Sequence, residues 1–340
     1  AGRCVCDDVG MKNVAGTVSV IKKSEIDLVV IGPEAPLAEG LADQLREANV
    51  LVFGPGKKGA ELEASKIASK KFMLKHGVKT ARFFEVSSVE ETLKQANEFE
   101  APYVLKADGL AGGKGVFICE DLKNLEASAK LLFEDKKLGM AGNTALLEEY
   151  QEGWELSFHI LTNGEGYVSL PLAQDHKRLG EGDSGPNTGG MGTIGPIPVE
   201  SDLLEKIHTD ILTPTVAGLK AEDMNFKGVV FVGVMVTKDG PITLEYNVRF
   251  GDPETQVMMP LLNGDWERFF FLSPVGSFQK LNGSLYIRPV LFSVQRIIQR
   301  LLLKELRWRG TLVMNLLLAT FYTQEQKWKM GFGKQMVVES

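Results

Sequence analysis

Residues 103–119 decide the fold, and they read Tyr-Val-Leu-Lys-Ala-Asp-Gly-Leu-Ala-Gly-Gly-Lys-Gly-Val-Phe-Ile-Cys. Two apolar segments, residues 103–106 and 115–119, predict strands on either side of a glycine loop. Glycine lets backbone N–H groups approach phosphate oxygens, and Lys106 and Lys114 supply positive charge. The spacing is not that of a Walker A loop, because Gly115 stands where Ser or Thr should follow the lysine. The loop is therefore either a phosphate cradle or a flexible hairpin tip.

The composition is that of an ordinary folded protein and excludes several classes. The chain has 340 residues, of which 44% are hydrophobic and 24% charged, so it is neither collagenous nor disordered throughout. A net charge of −6 gives no reason to expect nucleic acid or an anionic membrane as a partner. The longest apolar run, residues 312–319, is too short to span a membrane, and the first residues of the sequence do not contain the apolar segment expected of a signal peptide. With only three cysteines, the sequence predicts a cytoplasmic protein.

Strands and helices alternate around the glycine loop. Residues 27–31 and 51–53 are apolar runs that each end at Gly-Pro, and the helical pattern of residues 38–48 between them predicts a βαβ unit. Residues 61–76 predict one helix, which carries Lys66, Lys70 and Lys71. Further strands are predicted at residues 145–149, 156–161, 229–236 and 242–247.

An acidic segment follows the strand predicted at residues 145–149. Residues 148–155 read Glu-Glu-Tyr-Gln-Glu-Gly-Trp-Glu. An acceptor at the strand end could bind an adenine amino group, and Glu155 could accept a ribose hydroxyl. The alternative is an acidic, solvated turn.

A pair of oxygen ligands is predicted on the strand at residues 242–247. Glu245 and Asn247 fall on one face, since side chains alternate along a strand. A carboxylate beside an amide oxygen suits Mg²⁺, which binds a few protein oxygens together with substrate phosphates. The alternative is an exposed polar strand face.

Three further polar segments suggest a substrate site. Residues 174–178 read Gln-Asp-His-Lys-Arg, residues 183–192 are rich in glycine, and residues 249–256 read Arg-Phe-Gly-Asp-Pro-Glu-Thr-Gln. Long polar loops in a compact protein are either functional or disordered. Arg178 and Arg249 can each bind a phosphate or carboxylate with two parallel hydrogen bonds.

Taken in order, these segments resemble the ATP-grasp ligases, and among them the phosphoribosylamine–glycine ligase (glycinamide ribonucleotide synthetase) family. The resemblance runs from about residue 27 to residue 266. It is carried by residues 32–37, 53–55, 62–66, 106–115, 174–178, 184–192 and 249–256. It implies an α/β (α+β ATP-grasp) fold, in which a truncated doubly wound N-terminal domain is followed by an ATP-grasp domain pair. The implied domains are residues 1–60, residues 61–266 with a small subdomain at about 80–150, and a divergent tail at 267–340.

The resemblance implies an ATP-dependent carbon–nitrogen ligase of purine biosynthesis. Glycine, 5-phosphoribosylamine and ATP would give glycinamide ribonucleotide, ADP and phosphate through a glycyl phosphate. The enzyme would act as a cytoplasmic monomer on small molecules alone, without nucleic acid or membrane. Two alternatives are a fragment that is inactive or only binds nucleotide, and a sibling ATP-grasp ligase or carboxylase.

The resemblance also implies which residues form the site. ATP would be bound by Lys66, Lys106, Gly112, Gly113, Lys114, Gly115, Glu148, Glu149 and Glu155. Glu245 and Asn247 would hold Mg²⁺ or Mn²⁺. Glycine and phosphoribosylamine would be bound by Asp175, His176, Lys177, Arg178, Asn187, Thr188, Gly189, Arg249 and Asp252. Of these, Arg249, Asp175 and Lys177 are expected to be catalytic.

The tail, residues 267–340, differs from the body. It has 11 basic and 4 acidic residues, a net +7 against −13 for the rest. Its apolar clusters follow no strand or helix period, and we expect it to be the same ligase read in a shifted frame from about residues 269–271. Residues 295–300, 321–327 and 334–339 can be encoded by codons that, read with one common shift, give Glu-Asn-Tyr-Pro-Glu, Leu-His-Ala-Gly-Thr and Thr-Asn-Gly-Gly-Arg, which resemble C-terminal motifs of the family. The expected consequence is a poorly packed tail and impaired ligation, with ATP binding retained.

Overall fold

The computed structural model describes residues 13–110, 115–181, 184–262 and 290–292. Its α-helices are α1 Val14–Lys23, α2 Glu34–Ala38, α3 Leu41–Glu47, α4 Lys57–Ala64, α5 Lys66–His76, α6 Val89–Ala96, α7 Leu122–Phe133, α8 Ser201–Ile207, α9 Thr213–Ala221 and α10 Glu254–Met258. A π-helical turn, His208–Leu212, joins α8 to α9. Its strands are β1 Val29–Val30, β2 Val52–Phe53, β3 Phe83–Val86, β4 Tyr103–Ala107, β5 Val116–Cys119, β6 Ala145–Glu149, β7 Trp154–Thr162, β8 Tyr167–Ser169, β9 Gln174–Gly180, β10 Ser184–Gly195, β11 Gly228–Thr237, β12 Gly240–Asn247 and β13 Val290–Phe292.

The predicted βαβ unit is present near the N-terminus. Strands β1 and β2 pair in parallel, with Val29 opposite Val52. The helical segment between them differs from the prediction, because Gly40 has a φ of 87° and separates α2 from α3. That left-handed conformation favours glycine, which ends one helix and lets the next begin.

The helix predicted at residues 61–76 is divided at Ser65, so the prediction of one continuous helix is wrong. Ser65 is extended, and its hydroxyl accepts the amide of Ala68 as the N-cap of α5. The Asp108 carboxylate accepts both the Ser65 hydroxyl at 2.9 Å and the Ile67 amide at 2.8 Å. The Ser65 and Asp108 side chains accept hydrogen bonds from amides at the start of α5. In an unbroken helix, those amides would donate to backbone carbonyls four residues earlier. Asp108 lies in the glycine-loop segment, and such a distant partner leaves no trace in helical periodicity.

The glycine-loop hairpin is confirmed. Strands β4 and β5 pair in antiparallel register, with Tyr103 opposite Cys119, in a sheet of order β3-β6-β4-β5. Its buried residues pack with α6 and α7 into a separate core, whose members lie between Val86 and Leu147. The two strands of the hairpin are thus anchored by apolar packing.

A second antiparallel sheet, of order β12-β11-β7-β8, forms the centre of the larger core. Alternation along β11 places Val230, Val232 and Val234 on the face covered by the larger core. Val229 and Phe231 face the opposite side, where they pack with Met258. The predicted hairpin of β11 and β12 is confirmed, with Phe231 opposite Asn247. Strands β9 and β10 form a third, smaller sheet with β13.

Most of the tail lies outside the described residues. The predictions that it is read in a shifted frame and is poorly packed concern residues outside that described part. Residues 290–292 are described, and Val290 pairs opposite Gly195 of β10. Among the described residues, no helix combines the length and apolar character needed to cross a membrane. The domain boundaries at residues 60 and 266 stay predictions.

The cap shared by Ser65 and Asp108 makes a prediction about stability. Ser65→Ala and Asp108→Ala should each lower the free energy of unfolding by about 1–2 kcal/mol, because each removes capping of α5. The double variant should lose clearly less than the sum, since the two side chains bond to each other. Urea unfolding of the four proteins measures this coupling.

Asp121 supplies the matched control. It caps α7 locally, where its carboxylate accepts the Asn124 amide at 2.7 Å. Asp121→Ala combined with Ser65→Ala should therefore be additive within about 0.5 kcal/mol. Full additivity of the Ser65 and Asp108 substitutions would contradict the shared cap.

Candidate active site

Two lysines and one glutamate, from α5, β4 and β6, form a buried ionic cluster. The Glu148 carboxylate oxygen Oε2 accepts Lys106 Nζ at 3.0 Å and lies 3.2 Å from Lys70 Nζ. Lys106 on β4 and Glu148 on β6 are diagonal neighbours on one sheet face, since Lys106 is opposite Leu146. Lys70 arrives from α5, and its side chain is only 2% exposed. The sequence analysis assigned Lys106 and Glu148 to the site, but it placed Lys70 only on the predicted helix.

The two lysines have opposite pKa shifts. Burial lowers the pKa of Lys70 to about 8, against the attraction of Glu148. Burial also acts on Lys106, but Glu148 and Glu245 outweigh it and raise the pKa of this lysine above its ordinary value. Lys106 faces additional carboxylates, whereas Lys70 is repelled by Lys106. Lys106 is therefore always charged, and Lys70 changes charge at mildly alkaline pH.

Strand β12 presents the predicted pair of oxygen ligands. Glu245 and Asn247 share one face, because Tyr246 between them is buried in the larger core. Burial raises the pKa of Glu245, but Lys177, Lys106, Lys66 and Arg249 outweigh it, so the pKa is lowered and the carboxylate stays ionised. Several cations thus act electrostatically on this one carboxylate.

This pair fits the way that proteins hold Mg²⁺. The carboxylate is ionised, and the Asn247 side-chain oxygen accepts Arg249 at 3.3 Å, which leaves it a second lone pair. Within the described residues, no three His, Cys, Asp or Glu side chains come together as a complete metal site. One carboxylate and one amide oxygen are sufficient where phosphate oxygens complete the coordination.

Arg249 is held by two acidic residues that sequence reasoning missed. The Glu63 oxygen Oε1 lies 2.9 Å from its guanidinium, and Glu34 lies at 3.9 Å. The other oxygen of Glu63 accepts the Val248 amide at 2.8 Å, which fixes the carboxylate. Both residues lie inside quoted segments, residues 32–37 and 62–66. Neither has a local pattern that distinguishes it from a solvated carboxylate.

Strand β9 carries two of the predicted site residues, Asp175 and Lys177, on one face. Asp175 and Lys177 alternate with the exposed His176. Lys177 Nζ donates to Glu155 at 3.1 Å, and Thr193 donates to Asp175 at 3.2 Å. Burial, followed by the charge of Glu254, raises the pKa of Asp175 to about 6. Lys177 is therefore a cation held by Glu155, and beside it Asp175 is a carboxyl group that titrates near neutral pH.

A buried polar layer lies near Arg249 and was not predicted. His159 is fully buried and stacks on Phe231 with ring centroids 4.1 Å apart. Burial and the nearby Arg249 lower its pKa to about 3, so the ring is neutral. The Ser157 hydroxyl donates to Glu254 at 3.1 Å. This layer supports the Arg249 segment without adding positive charge to it.

Other predicted residues are placed differently. Glu149 points to the opposite sheet face from Glu148, where it binds Arg82 at 2.8 Å. Asp252 is exposed and accepts Gln256 at 2.9 Å, and the Thr188 hydroxyl accepts the Gly190 amide. The backbones of Arg178 and Asn187 pair between β9 and β10, next to Gly189. Gly112, Gly113 and Lys114 lie outside the described residues, and Gly115 accepts the Ala107 amide at the loop end.

Comparison with protein families gives two adjacent matches. The family model "Phosphoribosylglycinamide synthetase, N domain" matches residues 2–63. The model "Phosphoribosylglycinamide synthetase, ATP-grasp (A) domain" matches residues 64–255. The second match contains the lysine–glutamate cluster, β12 and Arg249.

Curated relatives agree with these models. A phosphoribosylamine–glycine ligase from Clostridium acetobutylicum is 43% identical over 262 residues, which is 77% of this chain and 63% of that protein. A trifunctional purine biosynthetic protein adenosine-3 from Drosophila melanogaster is 48% identical over 72% of this chain and 18% of that protein. The chain thus spans less than two thirds of the curated relatives it matches.

Solved structures show the same fold. The crystal structure of the phosphoribosylamine–glycine ligase from Thermotoga maritima is 40% identical, with a TM-score of 0.63 over 67% of this chain and 58% of that one. The biotin carboxylase domain of the Hydrogenobacter thermophilus 2-oxoglutarate carboxylase, solved with MgADP and bicarbonate, is 20% identical with a TM-score of 0.62 over 81% and 60% of the two chains. At that identity the second likeness concerns the fold alone. Both support the ATP-grasp fold expected from the sequence.

The buried cluster makes a prediction that two adjacent residues can test. Glu148→Gln should lower the free energy of unfolding by about 3–5 kcal/mol, because it leaves two buried ammonium groups without their carboxylate. Glu149→Gln, which breaks only the partly exposed pair with Arg82, should cost less than about 1 kcal/mol. Urea unfolding at neutral pH measures both. Equal losses would contradict the role of Glu148 as the shared counter-ion.

Proposed function

The chain belongs to the phosphoribosylglycinamide synthetase family, and from this we propose that it joins glycine to 5-phosphoribosylamine at the expense of ATP. The products would be glycinamide ribonucleotide, ADP and phosphate, as in purine biosynthesis. The observation that carries the proposal is the combined attraction of Lys66, Lys106, Lys177 and Arg249 for the carboxylate of Glu245, which keeps that carboxylate ionised. Such a concentration of positive charge around one metal-ligand carboxylate suits a polyphosphate and its Mg²⁺.

The proposed chemistry has two steps. The glycine carboxylate attacks the γ-phosphorus of ATP, so that ADP leaves and glycyl phosphate forms. The amine of phosphoribosylamine then attacks the acyl carbon, and phosphate leaves as the amide forms. Positioning and charge neutralisation supply most of the catalysis for such transfers.

The residues of this chain divide these tasks. Lys66 and Lys106 bind the ATP phosphates, together with the glycine loop that includes Gly115. Glu155 binds the nucleoside, and Glu148 acts indirectly by holding Lys106. Glu245 and Asn247 would hold Mg²⁺ or Mn²⁺, and the metal ion when bound neutralises charge on the phosphate oxygens.

The acceptor side of the site is assigned to the β9–β10 hairpin and the Arg249 segment. Arg249, held by Glu63 at 2.9 Å, neutralises charge that develops on the transferred phosphoryl group. Lys177 binds the carboxylate of glycine. Asp175 accepts the proton that the attacking amine loses, since a pKa of about 6 leaves it ionised at neutral pH.

Family membership favours this ligase over a sibling carboxylase. The alternative of a fragment that only binds nucleotide is decided by the experiments below. The monomeric state and the cytoplasmic location stay predictions.

The metal assignment predicts a defect specific to Glu245. Glu245→Gln should weaken Mg²⁺-dependent binding of ATP at least tenfold, equivalent to about 1.4 kcal/mol, because it removes the charged ligand. Isothermal titration calorimetry with and without Mg²⁺ measures the effect. Asp239→Asn, which removes the same charge from the exposed β11–β12 turn, should leave the affinity unchanged. Equal affinities for wild type and Glu245→Gln would show that the metal is held elsewhere.

The substrate assignment predicts a joint requirement. Release of ADP should need glycine and phosphoribosylamine together, because the acyl phosphate is consumed only by the amine. A coupled ADP assay with each substrate omitted in turn measures this. Bicarbonate replacing glycine would identify a sibling carboxylase. ATP binding without ADP release under any condition would identify a nucleotide-binding fragment.

A further inference from the structure

Lys70 is the buried cation that the proposed function leaves without a role. It lies one helical turn after Lys66 on α5, and its side chain is 2% exposed. A fully buried ammonium group is costly unless it is paired and hydrogen-bonded. Its position beside a proposed phosphate-binding lysine therefore calls for a physical explanation.

The groups around Lys70 come from every neighbouring element. Glu148 of β6 lies 3.2 Å from Lys70 Nζ, and Lys106 of β4 shares that carboxylate oxygen. Glu245 of β12 attracts Lys70 from a greater distance. The ring of Phe83 on β3 lies 5.9 Å from Nζ, and Nζ donates to the Thr80 hydroxyl at 2.5 Å.

The immediate cluster is unbalanced in charge. Two ammonium groups share one oxygen of Glu148, while its other oxygen, Oε1, is buried and accepts no hydrogen bond from the part of the chain that the structure describes. With both lysines protonated, these three residues carry one net positive charge in a region with little water. An arriving anion would stabilise that charge, and without the anion a neutral Lys70 relieves it.

Lys70 also connects the cluster to the strand that carries Glu245. Thr80 accepts Lys70 and donates to the Thr243 carbonyl at 2.7 Å. Residue Thr243 is two positions before Glu245 on β12, and its amide donates to the Lys79 carbonyl at 2.8 Å. The charge state of Lys70 is thus linked by hydrogen bonds to both sides of the proposed nucleotide site.

We propose that Lys70 is a proton-linked positioning residue, which must be an ammonium group when nucleotide phosphates bind. Where Lys70 is neutral in the free protein, it takes up a proton from solvent as the nucleotide binds. The proposal rests on the proposed function, since the phosphates are those of ATP. The step is a protonation of the Lys70 amine by the buffer, and no covalent bond to the nucleotide forms. A free-state pKa of about 8 places this uptake in mildly alkaline solution.

Calorimetry of a non-hydrolysable ATP analogue with Mg²⁺ tests the proposal. Titrations in two buffers with different ionisation enthalpies give the number of protons bound. Wild type should take up about 0.1 proton at pH 7 and close to one at about pH 9, with affinity falling toward tenfold per pH unit above about pH 8. Binding at about pH 9 without proton uptake would overturn the proposal from the unmodified protein alone.

Two variants separate this role from a purely structural one. Lys70→Met should bind at least tenfold more weakly at pH 7, take up no proton at about pH 9, and lose the decline in affinity with pH. Lys71→Met is the control on the same helix, because Lys71 is exposed and pairs with Glu85 at 2.8 Å. It should behave as wild type in every titration.

The outcomes are distinguishable from failure of the proposed function. Weaker binding by Lys70→Met with the wild-type proton uptake retained would show a structural role only and overturn the proposal. Absence of any binding by wild type at both pH values would overturn the ATP assignment and the Lys70 proposal together.

Discussion

A single buried carboxylate, Glu148, is the constraint on which the arrangement of this site depends. It brings Lys106 from the glycine-loop hairpin and Lys70 from α5 to within 3.2 Å of one oxygen atom. Removing three ionic groups from water costs several kcal/mol for each ion, and only their mutual attraction offsets that cost. The helix and the two strands are therefore held at one spacing, and the end of the hairpin is fixed relative to α5.

A second set of ion pairs fixes the opposite side of the site. Glu34 follows β1, Glu63 lies on α4, and both approach the guanidinium of Arg249 after β12. Because Glu63 also accepts the Val248 amide, it orients the backbone as well as the side chain. Three segments far apart in the chain are thereby joined at one cation.

Between Glu148 and Arg249, the charged side chains are concentrated around Glu245, and the neighbourhood of Arg249 contains a neutral ring. Lys177 and Lys106 keep Glu245 ionised, whereas the neutral His159 adds no charge near Arg249. The net result is a group of cations around one half-buried pair of oxygen ligands, Glu245 and Asn247, on β12. The fold itself is shared with carboxylases only 20% identical to this chain. The specific character of the site therefore comes from the polar segments placed on that fold rather than from the fold.

Local patterns in the sequence determined the elements and much of the site. Alternation placed Glu245 and Asn247 on one strand face, and two apolar runs around glycines predicted the β4–β5 hairpin, because strand geometry depends on residues close in sequence. The tertiary structure alone decided the break at Ser65, which depends on Asp108, and the partners of Glu148 and Arg249. A side chain at the end of a strand has the same local pattern whether it faces solvent or two buried lysines. Only the packing of α5 against both sheets made Glu148 a shared counter-ion, since Coulomb attraction depends on distance in space and not along the chain.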